Sequence, residues 1–164
     1  TKFQKSCNFF LTNFGKKSII FAMEKYRLVA ATIVVRDFED SKKFLLVRKP
    51  RVRYAWQFPQ GGRENGETFL VTAARELREE CGEKLQVKFL TLSEIGEYQY
   101  DFPKNFSKFD DDLAGAQVHF FRAVWIGGEV DVDGKEIVAH RWVTKTELHE
   151  LVEESYWDVV REWI

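Results

Sequence analysis

The sequence predicts a single α/β (α+β) domain in which a mixed β-sheet lies between helices. Three observations predict it. Runs of β-branched and aromatic residues are separated by polar turns, one amphipathic helix is bounded by Thr68 and Gly82, and a second helical pattern fills the C-terminus. At 164 residues the chain is long enough for one domain with a substantial core and short for two.

Taken in order, residues 1–23 (TKFQKSCNFFLTNFGKKSIIFAM) carry four lysines and no acidic residue. They read either as a basic extension or as an organelle transit segment, with Met23 as an alternative start. The domain proper is assigned to residues 24–164. Within it, RLVAATIVVRD from Arg27 and KKFLLVRK from Lys42 read as two strands of a hairpin joined by DFEDS. AWQF at 55–58 is a short aromatic strand ending at Pro59, and a Gly-rich turn follows at Gly61 and Gly62. KFLTLSEIGEYQYDF and AQVHFFRAVWI alternate in part and read as long strands on either side of the polar loop PKNFSKFDDDLAG, residues 103–115.

The first helix is expected over residues 68–81, with Ala73, Ala74, Leu77 and Cys81 as its apolar stripe and Gly82 as its stop. At the C-terminus, Thr144 and Glu147 have capping-box spacing ahead of LHELVEESYWDVVREWI, with a break near Ser155. The expected core is Val29, Ile33, Leu45, Val47, Phe58, Leu77, Phe120, Val124 and Trp142.

Hydrophobic residues make up 45% and charged residues 31%, the balance of a folded chain rather than a disordered one. No apolar run approaches the roughly 20 residues of a membrane-spanning helix, so no membrane partner is expected. Two cysteines, Cys7 and Cys81, exclude a disulfide framework and a four-thiolate zinc site. The net charge of −1 conceals a split: through Arg53 there are 13 basic against 4 acidic residues, and beyond it 12 against 22. A basic half and an acidic half point to an anionic partner and a cation. His119, His140 and His149 have no metal-ligand spacing; His119 reads as a strand residue and His149 as a helix-surface one.

Residues 61–83, GGRENGETFLVTAARELREECGE, contain six glutamates. On a helix Glu76, Glu79 and Glu80 share one side, opposite the apolar stripe. Three like charges on one patch call for positive charge among them, and oxygen-only ligands suit Mg²⁺ or Mn²⁺ rather than zinc. Arg75 reaches Glu79 one turn on. Upstream, RKPRVRYAWQFPQGG brings Arg48, Lys49, Arg51 and Arg53 ahead of the acidic helix, cations suited to a polyphosphate or an RNA end. Tyr54 or Trp56 offers a ring for base stacking, although Trp56 and Phe58 read more simply as core strand residues.

Gly61, Glu67 after five residues, and Arg75-Glu76-Leu77-Arg78-Glu79-Glu80-Cys81-Gly82 after seven more resemble the Nudix box almost position for position. One position departs: the pattern ends in an aliphatic residue where this chain has Glu83, with Leu85 two places on. The resemblance implies a Nudix-type fold and a pyrophosphohydrolase that uses Mg²⁺ or Mn²⁺ to cleave a diphosphate linkage. It implies Glu76, Glu79 and Glu80 as metal ligands with the Gly61 backbone beside them. Glu67, Arg75 and Gly82 would hold the box in register, and the base would be Glu79, Glu80 or a downstream carboxylate such as Glu136. WQFPQGG also resembles the matching stretch of Nudix enzymes that act on RNA 5′ ends and dinucleoside polyphosphates, which implies a nucleotide or RNA 5′-end substrate.

A second resemblance belongs to another class. IGEYQYDFP, GAQVHFFRA and HRWVTKTELHEL are similar to segments of the Nudix-fold protein of the mitochondrial large ribosomal subunit. That likeness implies a structural component with ribosomal RNA and proteins as partners. With the basic start, it places a mitochondrial location ahead of a cytoplasmic one.

Overall fold

The computed structural model describes residues 25–38, 40–103 and 113–164. The basic stretch 1–23, with Cys7 and Met23, and the middle of the polar loop 103–115 lie outside the described residues.

The scaffold is a mixed sheet built on two long strands, β1 (Lys25–Phe38) and β7 (Leu113–Gly127), which run parallel from Lys25↔Leu113 to Val35↔Val124. β2 (Ser41–Arg48) forms the expected hairpin with β1, with Phe38 opposite Ser41. β3 (Trp56–Gln57) pairs with β2, and β4 (Gln60–Gly62) pairs antiparallel with β1. The first expected long run divides into β5 (Gln86–Phe89) and β6 (Gly96–Asp101), which pair with successive parts of β7. Two further features differ from expectation. The glycines read as a turn form a strand, because Gly61 and Gly62 pair with Ala30 and Val29. HRWV belongs to an additional strand, β8 (Ala139–Val143), whose short sequence carries little pattern of its own but pairs along β2.

β1 and β2 are nearly continuous apolar runs because both of their faces are covered, the pattern of a buried strand. Val29, Ala31, Ile33 and Val35, with Phe44 and Leu46, pack toward α2 (Lys145–Leu151) and α3 (Glu154–Val160) through Leu148 and Val160. On the other face, Val34, Leu45 and Val47 pack on Leu77 and Cys81 of α1 (Phe69–Cys81), while Ala30 meets Ala73. The sheet is therefore sandwiched between helices. The Thr144 capping box forms in full, and the C-terminal helical stretch breaks at Val152–Glu153, slightly before Ser155.

Seven of the nine expected core residues are buried; Val124 and Trp142 are half-buried instead. Val124 lies four residues beyond Phe120 on β7, outside the cluster closed by Leu148 and Val160. Trp142 sits on edge strand β8 near the Arg36 guanidinium, 5.8 Å from its ring centroid. Ala74 of the α1 stripe is likewise half-buried, leaving Ala73, Leu77 and Cys81 as its packed face. Among the described residues no helix is long and apolar enough to cross a membrane.

Candidate active site

α1 starts where Thr68 Oγ1 accepts from the Val71 N–H and stops at Gly82, whose φ of 84° leaves the helical region at little cost for glycine. A side chain at Gly82 would also press on the Asp131 carbonyl, 2.7 Å from a Cβ placed there. Glu83, the position departing from the box pattern, is exposed, while Leu85 is buried beneath Leu77 and Cys81 and supplies the apolar contact.

Arg75 fastens the loop before α1 to the helix. Its Nε and Nη2 donate to Glu67 at 2.8 and 3.0 Å, Nη2 donates to the Gly62 carbonyl at 2.8 Å, and Nη1 donates to Glu76 and Glu79 at 2.7 and 3.0 Å. Glu67 also accepts from the Thr72 hydroxyl and the Glu64 N–H. Hydrogen bonds from Arg75 and then from the Glu64 N–H hold its carboxyl down to about 2, so it stays ionised.

The three glutamates of α1 differ in environment. Glu80 is 3% exposed, with Lys49 on Oε1 and the Gln60 N–H on Oε2. Burial pushes its carboxyl up to about 7, against the opposing pull of Lys49 and the Gln60 N–H. Glu76 is half-buried, and burial raises its pKa as well, although Arg75 pulls the other way. Glu79 faces outward, its side chain 57% exposed and tethered by Arg75. Glu136, on the loop between β7 and β8, has a 70% exposed side chain whose Oε1 lies 3.0 Å from Lys49 Nζ. The tertiary fold thus brings Glu136 to the α1 carboxylates.

Two features bear on whether a hard cation suits this cluster. The Glu76 carboxylate rests on bare Gly61 backbone: a Cβ there would fall on its carboxylate atoms. The cluster offers carboxylate oxygens, the donor set of Mg²⁺ or Mn²⁺. The residues fit such an ion by chemistry. Among the described residues, however, no three Asp, Glu, His or Cys side chains converge on a single point, and Lys49 and Arg75 lie among the carboxylates.

The approach segment divides by role. Lys49 turns inward to Glu80 and Glu136, and Arg51 donates to the Tyr54 carbonyl and to Gln57 Oε1, both at 2.7 Å, which closes the 49–57 loop. Arg48, Arg53 and Tyr54 are exposed, Tyr54 with a φ of 52°. Trp56 packs against the core and under Arg141, 6.0 Å from its ring centroid. His119 is a buried β7 residue stacked on Phe69, and His149 lies on α2 stacked on Trp157.

Sequence reasoning set Lys49 among the substrate-side cations rather than among the carboxylates, and missed Asp133. Lys49 bridges carboxylates 31 and 87 residues away, a contact no local pattern reveals. Asp133 accepts from the N–H groups of Lys135, Glu136 and Ile137 and so shapes the turn that presents Glu136; the Asp133-Gly134 pair was its only local signal.

Comparison with known proteins identifies the family. The NUDIX domain profile matches residues 26–163. The chain is 33% identical over 120 residues to an RNA pyrophosphohydrolase of Nitratiruptor sp., covering 70% of this chain and 75% of the relative. It is 30% identical over 133 residues to an RNA pyrophosphohydrolase of Sphingopyxis alaskensis, covering 77% and 83%. Both relatives are named as enzymes and neither as a ribosomal protein. Among solved structures, a C. elegans Ap4A hydrolase binary complex superposes with a TM-score of 0.68 at 17% identity, covering 84% of this chain and 94% of that one. The E. coli dihydroneopterin triphosphate pyrophosphohydrolase superposes with a TM-score of 0.65 at 17% identity, covering 85% and 97%. These last two likenesses are of fold. With the box clamp in place, the sheet sandwiched between helices and a profile match across almost the whole domain, the chain belongs to the Nudix family of hydrolases.

Proposed function

We propose that this Nudix enzyme is an Mg²⁺- or Mn²⁺-dependent pyrophosphohydrolase that cleaves a diphosphate linkage at the 5′ end of RNA or in a nucleotide. The observation that carries the site assignment is the Glu76 carboxylate lying on Gly61 backbone, with buried Glu80 one turn along and Glu136 brought alongside. The RNA pyrophosphohydrolase relatives support the substrate class.

Arg75 and Glu67 hold the box loop against α1, so that Glu76, Glu79 and Glu80 keep their spacing. Glu76 and Glu80 are the inner carboxylates and Glu79 the outer one, and together with the Gly61 backbone they form the set that would hold the cation. The chemistry supplied by a bound divalent cation is shielding of the phosphate charges and a lowered pKa for the attacking water. Exposed Arg48 and Arg53 take the outer phosphates, and Tyr54 offers its ring to a base. Trp56, committed to the core, and Arg51, committed to its loop, serve the substrate indirectly.

In hydrolysis the water oxygen bonds to phosphorus as the bridging P–O bond breaks, and the departing phosphate carries away the electron pair. The water proton passes to a carboxylate. Both Glu80 oxygens are engaged and its side chain is 2% exposed, whereas Glu79 and Glu136 are open to water and are the groups placed to take that proton.

The test is a panel of 5′-triphosphorylated RNA, dinucleoside polyphosphates, nucleotide sugars and nucleoside triphosphates, incubated with Mg²⁺ or Mn²⁺ and resolved by anion-exchange chromatography for loss of substrate and appearance of phosphate, pyrophosphate, nucleotide or sugar-phosphate products. Turnover of RNA or a nucleotide that collapses in Glu79→Gln protein supports the assignment. Folded, metal-loaded protein that turns over none of them refutes it.

A further inference from the structure

Two cations sit in the acidic cluster, and they are held differently. Arg75 makes five hydrogen bonds through a rigid fork, to Glu67, Gly62, Glu76 and Glu79. Lys49 makes two, from one ammonium on a flexible stem, to Glu80 Oε1 at 2.5 Å and Glu136 Oε1 at 3.0 Å. Arg75 is a fixture of the fold. Lys49 is a point charge that can change partners without moving the backbone.

The backbone around Lys49 is secured independently of its side chain. Lys49 follows directly on β2; its N–H donates to the Ala55 carbonyl at 2.9 Å, and Arg51 closes the same loop. Its side chain is 17% exposed, so the ammonium has a path to solvent. Glu80 has no spare oxygen: Gln60 holds Oε2 and Lys49 holds Oε1. A divalent cation taking Glu80 as a ligand on the oxygen outside the backbone contact competes with the ammonium for that oxygen. Two cations at one carboxylate oxygen also repel each other at short range.

We propose that Lys49 is an exchangeable internal counter-ion: it holds Glu80 and Glu136 together before a divalent cation enters, and is released from Glu80 toward the diphosphate side when one binds. The inference rests on the divalent-cation reading above and adds to it an order of events. The positive charge that balances Glu80 and Glu136 becomes a phosphate-facing charge only after metal has bound. A substrate binding before the metal would meet a site whose inner lysine is turned away.

Two measurements test this. In the first, wild-type protein is pulsed with acetic anhydride with and without saturating Mg²⁺, and acetylation of Lys49 is followed by mass spectrometry against exposed Lys84. Mg²⁺ is expected to raise Lys49 labelling severalfold and leave Lys84 unchanged. In the second, Mn²⁺ affinity is measured by calorimetry at about pH 8 for wild type, Lys49→Met and Lys49→Arg. Loss of the competing charge is expected to tighten Mn²⁺ binding by on the order of tenfold in Lys49→Met and not in Lys49→Arg. Mn²⁺ binding with Lys49 labelling unchanged, or with Lys49→Met binding no more tightly than wild type, overturns the counter-ion role and leaves the hydrolase reading standing. Absence of Mn²⁺ binding in all three proteins overturns both. Should Lys49→Met fail to fold, the wild-type labelling decides alone.

Discussion

The guanidinium of Arg75 grips Glu67 through two near-parallel hydrogen bonds, Nε to Oε1 at 2.8 Å and Nη2 to Oε2 at 3.0 Å. Because the same guanidinium reaches Gly62, Glu76 and Glu79, one side chain sets the distance between β4, the loop and α1. A lysine keeps the charge and loses the fork. Arg75→Lys is expected to fold and to lose about 10- to 100-fold in kcat/KM, because the glutamates are then misplaced rather than removed. Unchanged steady-state kinetics in a correctly folded variant would show that the grip is dispensable.

The Glu67 end of this pair has an acid signature. Its carboxyl lies near 2 in the folded protein against an ordinary 4.5, so its contribution is fully present above about 4.5 and is lost as pH falls through about 2. Glu67→Gln is expected to weaken the dependence of stability on pH below 4.5. Parallel acid-unfolding curves for the two proteins would contradict this.

Glu80 has the opposite sign. Its folded pKa near 7 exceeds the ordinary 4.5, so the folded state holds more protons than the unfolded one between those values. In metal-free protein, the stability linked to Glu80 is therefore greatest below about 4.5 and falls as pH rises through about 7. Its size is roughly 3 kcal/mol. Urea unfolding of wild type and Glu80→Gln in chelator, from about pH 5 to pH 8, is expected to show a flatter profile for the variant. Superimposable slopes would remove Glu80 as the titrating group.

Gly61 yields a steric prediction. A Cβ there would occupy the place of the Glu76 carboxylate, so Gly61→Ala must turn that carboxylate away from the site. Expected outcomes are Mn²⁺ affinity well below that of wild type and activity reduced by about 100-fold. Wild-type Mn²⁺ binding by Gly61→Ala would mean that the Glu76 position is irrelevant to the cation.

The box was legible in the sequence because its parts lie within one loop and one helix, where spacing translates directly into geometry. Glu67 and Arg75 are 8 residues apart and meet; Arg75 and Glu79 meet one turn apart. The strands β1, β2 and β7 were legible for a different reason: burial on one or both faces enforces long β-branched and aromatic runs. Residues whose partners are set by the sheet were hidden. Gly61 and Gly62 carry little intrinsic strand preference and become a strand only because Val29 and Ala30 lie opposite them. Lys49 had the charge of a phosphate ligand, but its inward turn depends on Glu80 and Glu136 arriving from α1 and from the loop before β8.

Asp133 supplies a final prediction, because it acts on the site without facing it. Its Oδ1 accepts from the N–H groups of Lys135, Glu136 and Ile137 at 2.9, 3.0 and 3.1 Å, and Gly134 takes a φ of 70° to complete the turn. These backbone bonds hold the Asp133 carboxyl below the usual carboxylate range. The turn fixes where Glu136 leaves the backbone, and hence whether its carboxylate meets Lys49. Asp133→Asn keeps an acceptor oxygen, whereas Asp133→Ala takes the shared acceptor from three N–H groups, one of them on buried Ile137. The alanine variant is expected to show faster hydrogen exchange at residues 135–137 and a kcat lowered by about tenfold, with Mn²⁺ affinity less affected. The asparagine variant is expected to recover most of both losses. Faster exchange at 135–137 with kcat unchanged would show that Glu136 takes no part in turnover, and would leave Glu79 as the carboxylate placed to accept the proton.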